Sequence, residues 1–197
     1  MERDLVSLTQ GRRGHFRLES GHHGDLWLEL ERLCQRSREI QEFAVRLAAQ
    51  LAPYKADAVC GPLVEGALVA LLVSLRLGCD FTYAERFANA GRAGLFPVEY
   101  RVPEGLRAAV KGKRVAIVND VISAGSAVRG AYIDLKEIGA EVVAIGALLA
   151  LGDAIDGFAA KQGVALELLE RMPNNLWTPE ECPLCVAGEP LEIVGTS

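Results

Sequence analysis

The chain has 197 residues, 50% of them hydrophobic and 24% charged, with 26 acidic against 21 basic side chains for a net charge of −5. That is the length of one globular domain with material for a single buried core. The acidic balance argues against nucleic acid as the main partner, because duplex binding usually leaves a basic footprint. No apolar run approaches the length needed to span a bilayer: the longest, Ala67 to Leu75, is interrupted by Ser74 and closed by Arg76. Glu2, Arg3 and Asp4 leave no apolar leader in the first ten residues, so a cytoplasmic address is expected.

In chain order, Ile40, Phe43, Ala44, Leu47, Ala48 and Leu51 recur at helical spacing, and Pro53 ends that helix. Ala56 to Cys60 is predicted as a short buried strand, followed by a turn from Gly61 through Pro62 and Glu65 to Gly66. Gly66 to Leu77 is an apolar helix stopped at Gly78, and Asp80 to Tyr83 a further strand. The four-residue apolar run Val115 to Val118 is too short for a helix and β-branched enough to prefer extension. A helix from Ala127 to Ile138, a strand region from Val142 to Leu151, a short helix from Asp153 to Lys161 and a strand from Val164 to Leu169 complete the alternation. Such alternation implies an α/β protein with a doubly wound, mostly parallel sheet and ligands at the carboxyl ends of its strands.

The most informative stretch is Arg114 to Arg129. Asn119 and Asp120 follow the apolar strand, and Ser123-Ala124-Gly125-Ser126-Ala127 runs into the helix. A strand, a small hydroxyl-bearing turn and a helix start together build an anion site. Free N–H groups point outward, the helix dipole adds positive charge, and Ser123 and Ser126 add hydroxyl donors. Gly125 permits positive φ and close backbone approach. Asn119 and Asp120 are then placed for the diol of a ribose whose 5′-phosphate sits in the loop. A generic phosphate turn is the plainer alternative; Walker-type and dinucleotide fingerprints are absent.

Five cysteines at irregular spacing are no disulfide framework and suit a reducing compartment. Cys182-Pro-Leu-Cys185 supplies half of a zinc site, with no second cysteine pair or histidine cluster near it in sequence. A packed turn is the expectation, a metal shared across a dimer the alternative, and no metal ligands are assigned. Arg107, Lys111, Lys113 and Arg114 form a basic cluster expected to be a solvated turn.

The stretch around Asn119 resembles the PRPP-binding signature of type I phosphoribosyltransferases, with Asn119 where the first acid usually stands. Phe16-Arg-Leu-Glu-Ser-Gly21 is similar to the N-terminal segment of the orotate phosphoribosyltransferases, where it forms part of a hood over the base; Glu19 occupies a position often held by Lys. Arg129 stands where that family contacts the base, with a solvated helix arginine as the alternative. Between Tyr83 and Pro103 the family carries a mobile loop with Arg-Lys, a further Lys and His-Gly; here Arg86 falls at the key Lys, Arg92 lies at the expected tip, and the second Lys and the His are missing. His22 and His23 follow the hood segment and are expected to be solvated, or else catalytic or base-binding.

The resemblance implies a single domain over 1–197, with a core at 36–170 and a small hood from about 1–35 plus the C-terminal segment. It implies displacement of pyrophosphate from PRPP by a nucleobase, most simply orotate, with Mg²⁺ as cofactor and a homodimer as the assembly. Ser123, Ala124, Gly125, Ser126 and Ala127 would then hold the 5′-phosphate, and Asn119 and Asp120 the ribose. Gly61, Pro62, Glu65 and Gly66 would meet pyrophosphate, Arg86 or Arg92 would supply loop charge, and Phe16, Ser20, Gly21 and Arg129 would frame the base. Glu65 could bind magnesium, turn outward or weaken PRPP binding. A sister enzyme for a purine or another base, and a non-catalytic PRPP or nucleotide sensor, are the alternatives.

Overall fold

The computed structural model describes residues 10–35, 37–88 and 94–194. It begins with two antiparallel strands, β1 (Gln10–Arg17) and β2 (His23–Glu29), whose register slips between Arg13 and Phe16. Helices α1 (Glu31–Gln35) and α2 (Ser37–Leu51) lead to β3 (Ala58–Pro62), α3 (Glu65–Leu77) and β4 (Asp80–Ala88). Then come β5 (Val98–Arg101), α4 (Glu104–Val110), β6 (Arg114–Ile122), α5 (Ser126–Ile138), β7 (Glu141–Leu151), α6 (Asp156–Gln162) and β8 (Ala165–Met172). Two short strands, β9 (Leu176–Trp177) and β10 (Glu192–Ile193), flank the one-turn helix α7 (Pro183–Val186).

The main sheet has the order β5-β4-β3-β6-β7-β8 and is parallel except for β5. Its central strands are covered on both faces, which is why β3, β6 and β7 are nearly continuous apolar runs rather than alternating ones. Val59, Val118 and Leu148 pack against α2 and α3; Cys60, Ile117 and Ile145 face the opposite layer, where α5 contributes Val128, Ala131 and Leu135. A smaller sheet, ordered β10-β1-β2-β9, joins the two ends of the described chain. Leu26 and Leu28 of β2 seat it on Leu149 and Leu151 at the carboxyl end of β7.

Element bounds move where tertiary pairing extends them. Strand β6 continues past Val118 to Ile122, because Asn119 and Val121 stay in register with Ala147 and Leu149 of β7. Strand β4 continues past Tyr83 to Ala88, because β5 pairs back on it through Arg86↔Tyr100. Much of the segment expected as a mobile loop is therefore hairpin. Helix α6 starts at Asp156 rather than Asp153, after a turn in which the Asp156 N–H donates to the Asp153 carbonyl.

The basic cluster before β6 is a solvated turn only in part: Lys111 is exposed, while the other three side chains are tied down. Arg107 binds the buried carboxylate of Asp134 at 2.9 Å, and Asp134 also accepts the Val102 N–H at 2.8 Å. Lys113 pairs with Asp80, and Arg114 with Glu141 and the Tyr54 carbonyl. Among the described residues no helix is long and apolar enough to cross a membrane.

Candidate active site

The carboxyl ends of β3 and β6 open into a cavity of about 650 Å³, with the β1–β2 turn on its far wall. Its floor is the strand–loop–helix from Asn119 to Ala127. Gly125 takes φ 81°, a conformation that strains a residue with a side chain, and an added Cβ would lie 2.9 Å from Ile155. The chain thereby turns sharply into α5 and leaves the first N–H groups of that helix facing the cavity. The Ser123 hydroxyl oxygen is shielded from solvent and has no hydrogen-bond partner among the described residues. A shielded hydroxyl without a partner is costly unless a ligand satisfies it.

Asn119 is 8% exposed and Asp120 4% exposed, so both are held by the sheet rather than projecting on a loop. The Asn119 amide donates to the Val121 carbonyl at 2.8 Å, and its oxygen lies so close to Gly66 that a Cβ there would come within 2.0 Å. Gly66 is thus required by the neighbouring strand. Pro62, Glu65 and Gly66 line the cavity opposite Asp120, whereas Gly61 lies behind them, its Cα turned onto α3 with 2.5 Å between an added Cβ and Ala67. Glu65 opens α3, half-buried at the cavity edge, and Glu85 joins it from β4.

Glu19 is the residue whose role sequence patterning did not reveal. Its carboxylate reaches across the cavity to Arg86 Nε at 2.6 Å, the Tyr100 hydroxyl at 3.0 Å and Ser126 Oγ at 3.1 Å. The three donors come from β4, β5 and the start of α5, so the signal exists only after the sheet is assembled. Burial pushes the Tyr100 hydroxyl upward, and the adjacent Glu19 charge pushes it further, so Tyr100 stays a proton donor to Glu19. Arg86, expected to supply charge to the leaving group, is here neutralised by Glu19.

The residues assigned to the base are divided. Ser20 lines the cavity and bonds His22 Nδ1 at 3.1 Å. Phe16 is 2% exposed, within the smaller sheet, and is not part of the cavity wall. Gly21, at φ 82°, packs against the Gly94 carbonyl. Arg129 faces an adjoining recess of about 1130 Å³, where it donates to the Ala124 and Ala154 carbonyls and lies over the rings of Phe96 and Phe158. Burial lowers its pKa from the free value. Arg92 lies outside the described residues. His22 is held against Phe96, and its pKa is lowered by burial and then by Arg129; His23 is buried, not solvated.

A doubly wound sheet with a glycine-turned loop between its central strand and the next helix, overhung by a small sheet, defines an α/β protein with a cavity at the carboxyl ends of its strands. The phosphoribosyl transferase domain family matches residues 27–182, and the chain belongs to the type I phosphoribosyltransferases. It is a phosphoribosyltransferase with curated relatives over almost its whole length. It is 30% identical to the orotate phosphoribosyltransferase of Caldanaerobacter subterraneus subsp. tengcongensis, over 91% of this chain and 87% of that protein. It is 31% identical to the orotate phosphoribosyltransferase of Thermotoga maritima, over 93% of this chain and 90% of that one. Among solved structures, the orotate phosphoribosyltransferase of Aeropyrum pernix superposes with a TM-score of 0.61 at 22% identity, covering 84% of this chain and 89% of that one. The adenine phosphoribosyltransferase of Thermoanaerobacter pseudethanolicus gives 0.65 at 18% identity, covering 85% and 98%. The fold is common to enzymes for both kinds of base.

Proposed function

We propose that this phosphoribosyltransferase transfers the phosphoribosyl group of PRPP to orotate and releases pyrophosphate. The observation that carries the PRPP site is the shielded Ser123 hydroxyl without a partner, beside left-handed Gly125 and the start of α5. A 5′-phosphate accepting from Ser123 and the α5 N–H groups would satisfy donors the protein leaves available, with Ser126 joining them once released from Glu19. With the ribose held beside that loop, the Asp120 carboxylate would stabilise positive charge developing on it as the leaving group departs. Glu65, Glu85 and Asp120 bring carboxylate oxygens to the cavity, the hard donors that Mg²⁺ takes together with phosphate oxygens. Among the described residues the three do not converge as one ligand group, so one or two of them would hold the ion together with phosphate oxygens, and when bound it would neutralise the departing pyrophosphate. Arg86 supports the same charge once released from Glu19, but as an arginine it cannot donate a proton near neutral pH.

Orotate as the base rests on the kinship with curated orotate enzymes at about 30% identity over some nine-tenths of the chain. One observation favours a second reading: the Glu19 carboxylate inside the cavity would repel an anionic base and suits one presenting N–H donors, such as a purine. The test is pyrophosphate release from PRPP and Mg²⁺ with orotate, uracil, hypoxanthine, guanine, xanthine and adenine in turn. Turnover with orotate alone is expected. Turnover only with a purine would replace the base assignment, and PRPP binding without turnover on any base would favour a sensor. The homodimer expected for the family is supported by an apolar stripe on α3, where Leu68, Leu71 and Leu75 are exposed on one face.

A further inference from the structure

We propose that His15, His23, Cys182 and Cys185 form a structural zinc site that staples the C-terminal segment to the β1–β2 sheet. Four potential ligand atoms, one from each residue, all lie within 4.8 Å of one another. The individual separations are 3.1 Å between His15 Nε2 and His23 Nδ1, 3.4 Å from Cys182 Sγ to His15 Nε2, 3.6 Å from Cys185 Sγ to the same nitrogen, and 3.2 Å from Cys185 Sγ to His23 Nδ1. A tetrahedral zinc with nitrogen ligands at about 2.0–2.1 Å and sulfur at about 2.3 Å needs ligand edges of roughly 3.3–3.8 Å. These four of the six separations are within a few tenths of an ångström of that edge, and the other two, from Cys182 Sγ to His23 and to Cys185, are at most 4.8 Å.

Hydrogen bonding alone is a poor account of the cluster. His15 Nδ1 lies 2.9 Å from the Glu189 carbonyl, which can only accept, so the Nδ1 proton is committed there. The neutral ring then presents a bare Nε2 lone pair, and a single lone pair cannot serve His23, Cys182 and Cys185 together. One cation at the common centre serves all four. A carbonyl on the outer ring nitrogen is also the usual device that fixes tautomer and orientation in a metal-ligating histidine. His15, His23 and Cys182 are buried while Cys185 is exposed at the rim, so the centre is enclosed by three of its four ligands, and two thiolates balance a divalent charge. Soft sulfur with imidazole selects zinc over the hard magnesium expected at the PRPP cavity.

Local geometry supports the assignment. The Cys182-Pro183-Leu184-Cys185 turn is closed by the Val186 N–H on the Cys182 carbonyl and the Gly188 N–H on the Cys185 carbonyl, with Gly188 at φ 72°. His15 sits in the register slip of β1, which re-aims its ring toward His23 at the start of β2. The same two strands carry the turn that holds Glu19 and Ser20, so the staple would fix one wall of the cavity from outside it.

The protein should be purified without chelator or metal-affinity resin and its metal measured by plasma mass spectrometry. About one zinc per chain is expected, falling to near zero in His15→Ala and Cys185→Ser and retained in His15→Cys, which keeps a ligand of the right chemistry. As a check independent of variant folding, chelated wild-type protein given Co²⁺ should develop the visible absorption of tetrahedral cobalt with a thiolate charge-transfer band. Absence of zinc together with absence of that band would overturn the proposal. So would a Cys182–Cys185 disulfide in the freshly purified protein.

Discussion

At the residue scale, Glu19 occupies three donor side chains that line the proposed PRPP cavity. Ser126, Arg86 and Tyr100 all spend donors on one carboxylate. Replacing it by the neutral isostere, Glu19→Gln, should lower KM for PRPP by about five-fold, the equivalent of about 1 kcal/mol for a partly exposed charge contact. Glu19→Lys should favour orotate over purines in a base competition, because it reverses the charge facing the base. Unchanged KM in the first variant would mean the carboxylate stands clear of bound PRPP. Asp134 is the other residue with a sharp consequence: it is buried, paired with Arg107 and bonded to the Val102 N–H. Asp134→Ala should cost about 2 kcal/mol in urea unfolding by leaving the Val102 N–H unpaired and taking from Arg107 its nearest carboxylate, with Glu104 still 3.8 Å away. Cys60, buried in β3 with its thiol pushed up to about 12 by desolvation, should resist alkylation in the native protein near pH 8, checked by mass spectrometry of labelled peptides.

At the element scale, the alternation of strands and helices follows directly from apolar runs and glycine stops, and the structure has the expected parallel core. What sequence patterning missed is where pairing carries an element further. The polar pair Asn119 and Asp120 ends an apolar run, yet β7 alongside keeps both in the sheet. The hairpin of β4 and β5 is equally non-local, since Arg86 meets Tyr100 only when the chain folds back. The loop from Ser123 to Ala127 could be singled out as a candidate anion site because its residues are contiguous. The Glu19 contacts and the His15–His23–Cys182–Cys185 cluster were not, because their members come from opposite ends of the chain and no spacing rule connects them. On α3, the exposed stripe makes its own prediction. Leu75→Glu should shift the protein from dimer to monomer in sedimentation velocity, while a variant that stays dimeric would place the interface elsewhere.

At the scale of the whole molecule, the cavity at the strand ends carries the hydroxyl, N–H and carboxylate groups that the proposed PRPP site would use. The sheet built from both ends of the described chain closes over it and rests on Leu149 and Leu151. The central claim is that the loop from Ser123 to Ala127 is the 5′-phosphate site, and a calorimetric titration of PRPP with Mg²⁺ tests it most directly. Wild-type protein should bind one PRPP per chain, and Ser123→Ala should weaken that binding about ten-fold, as loss of a hydrogen bond to a charged group implies. Equal affinity in the two proteins, or no binding to the wild type, would contradict the assignment.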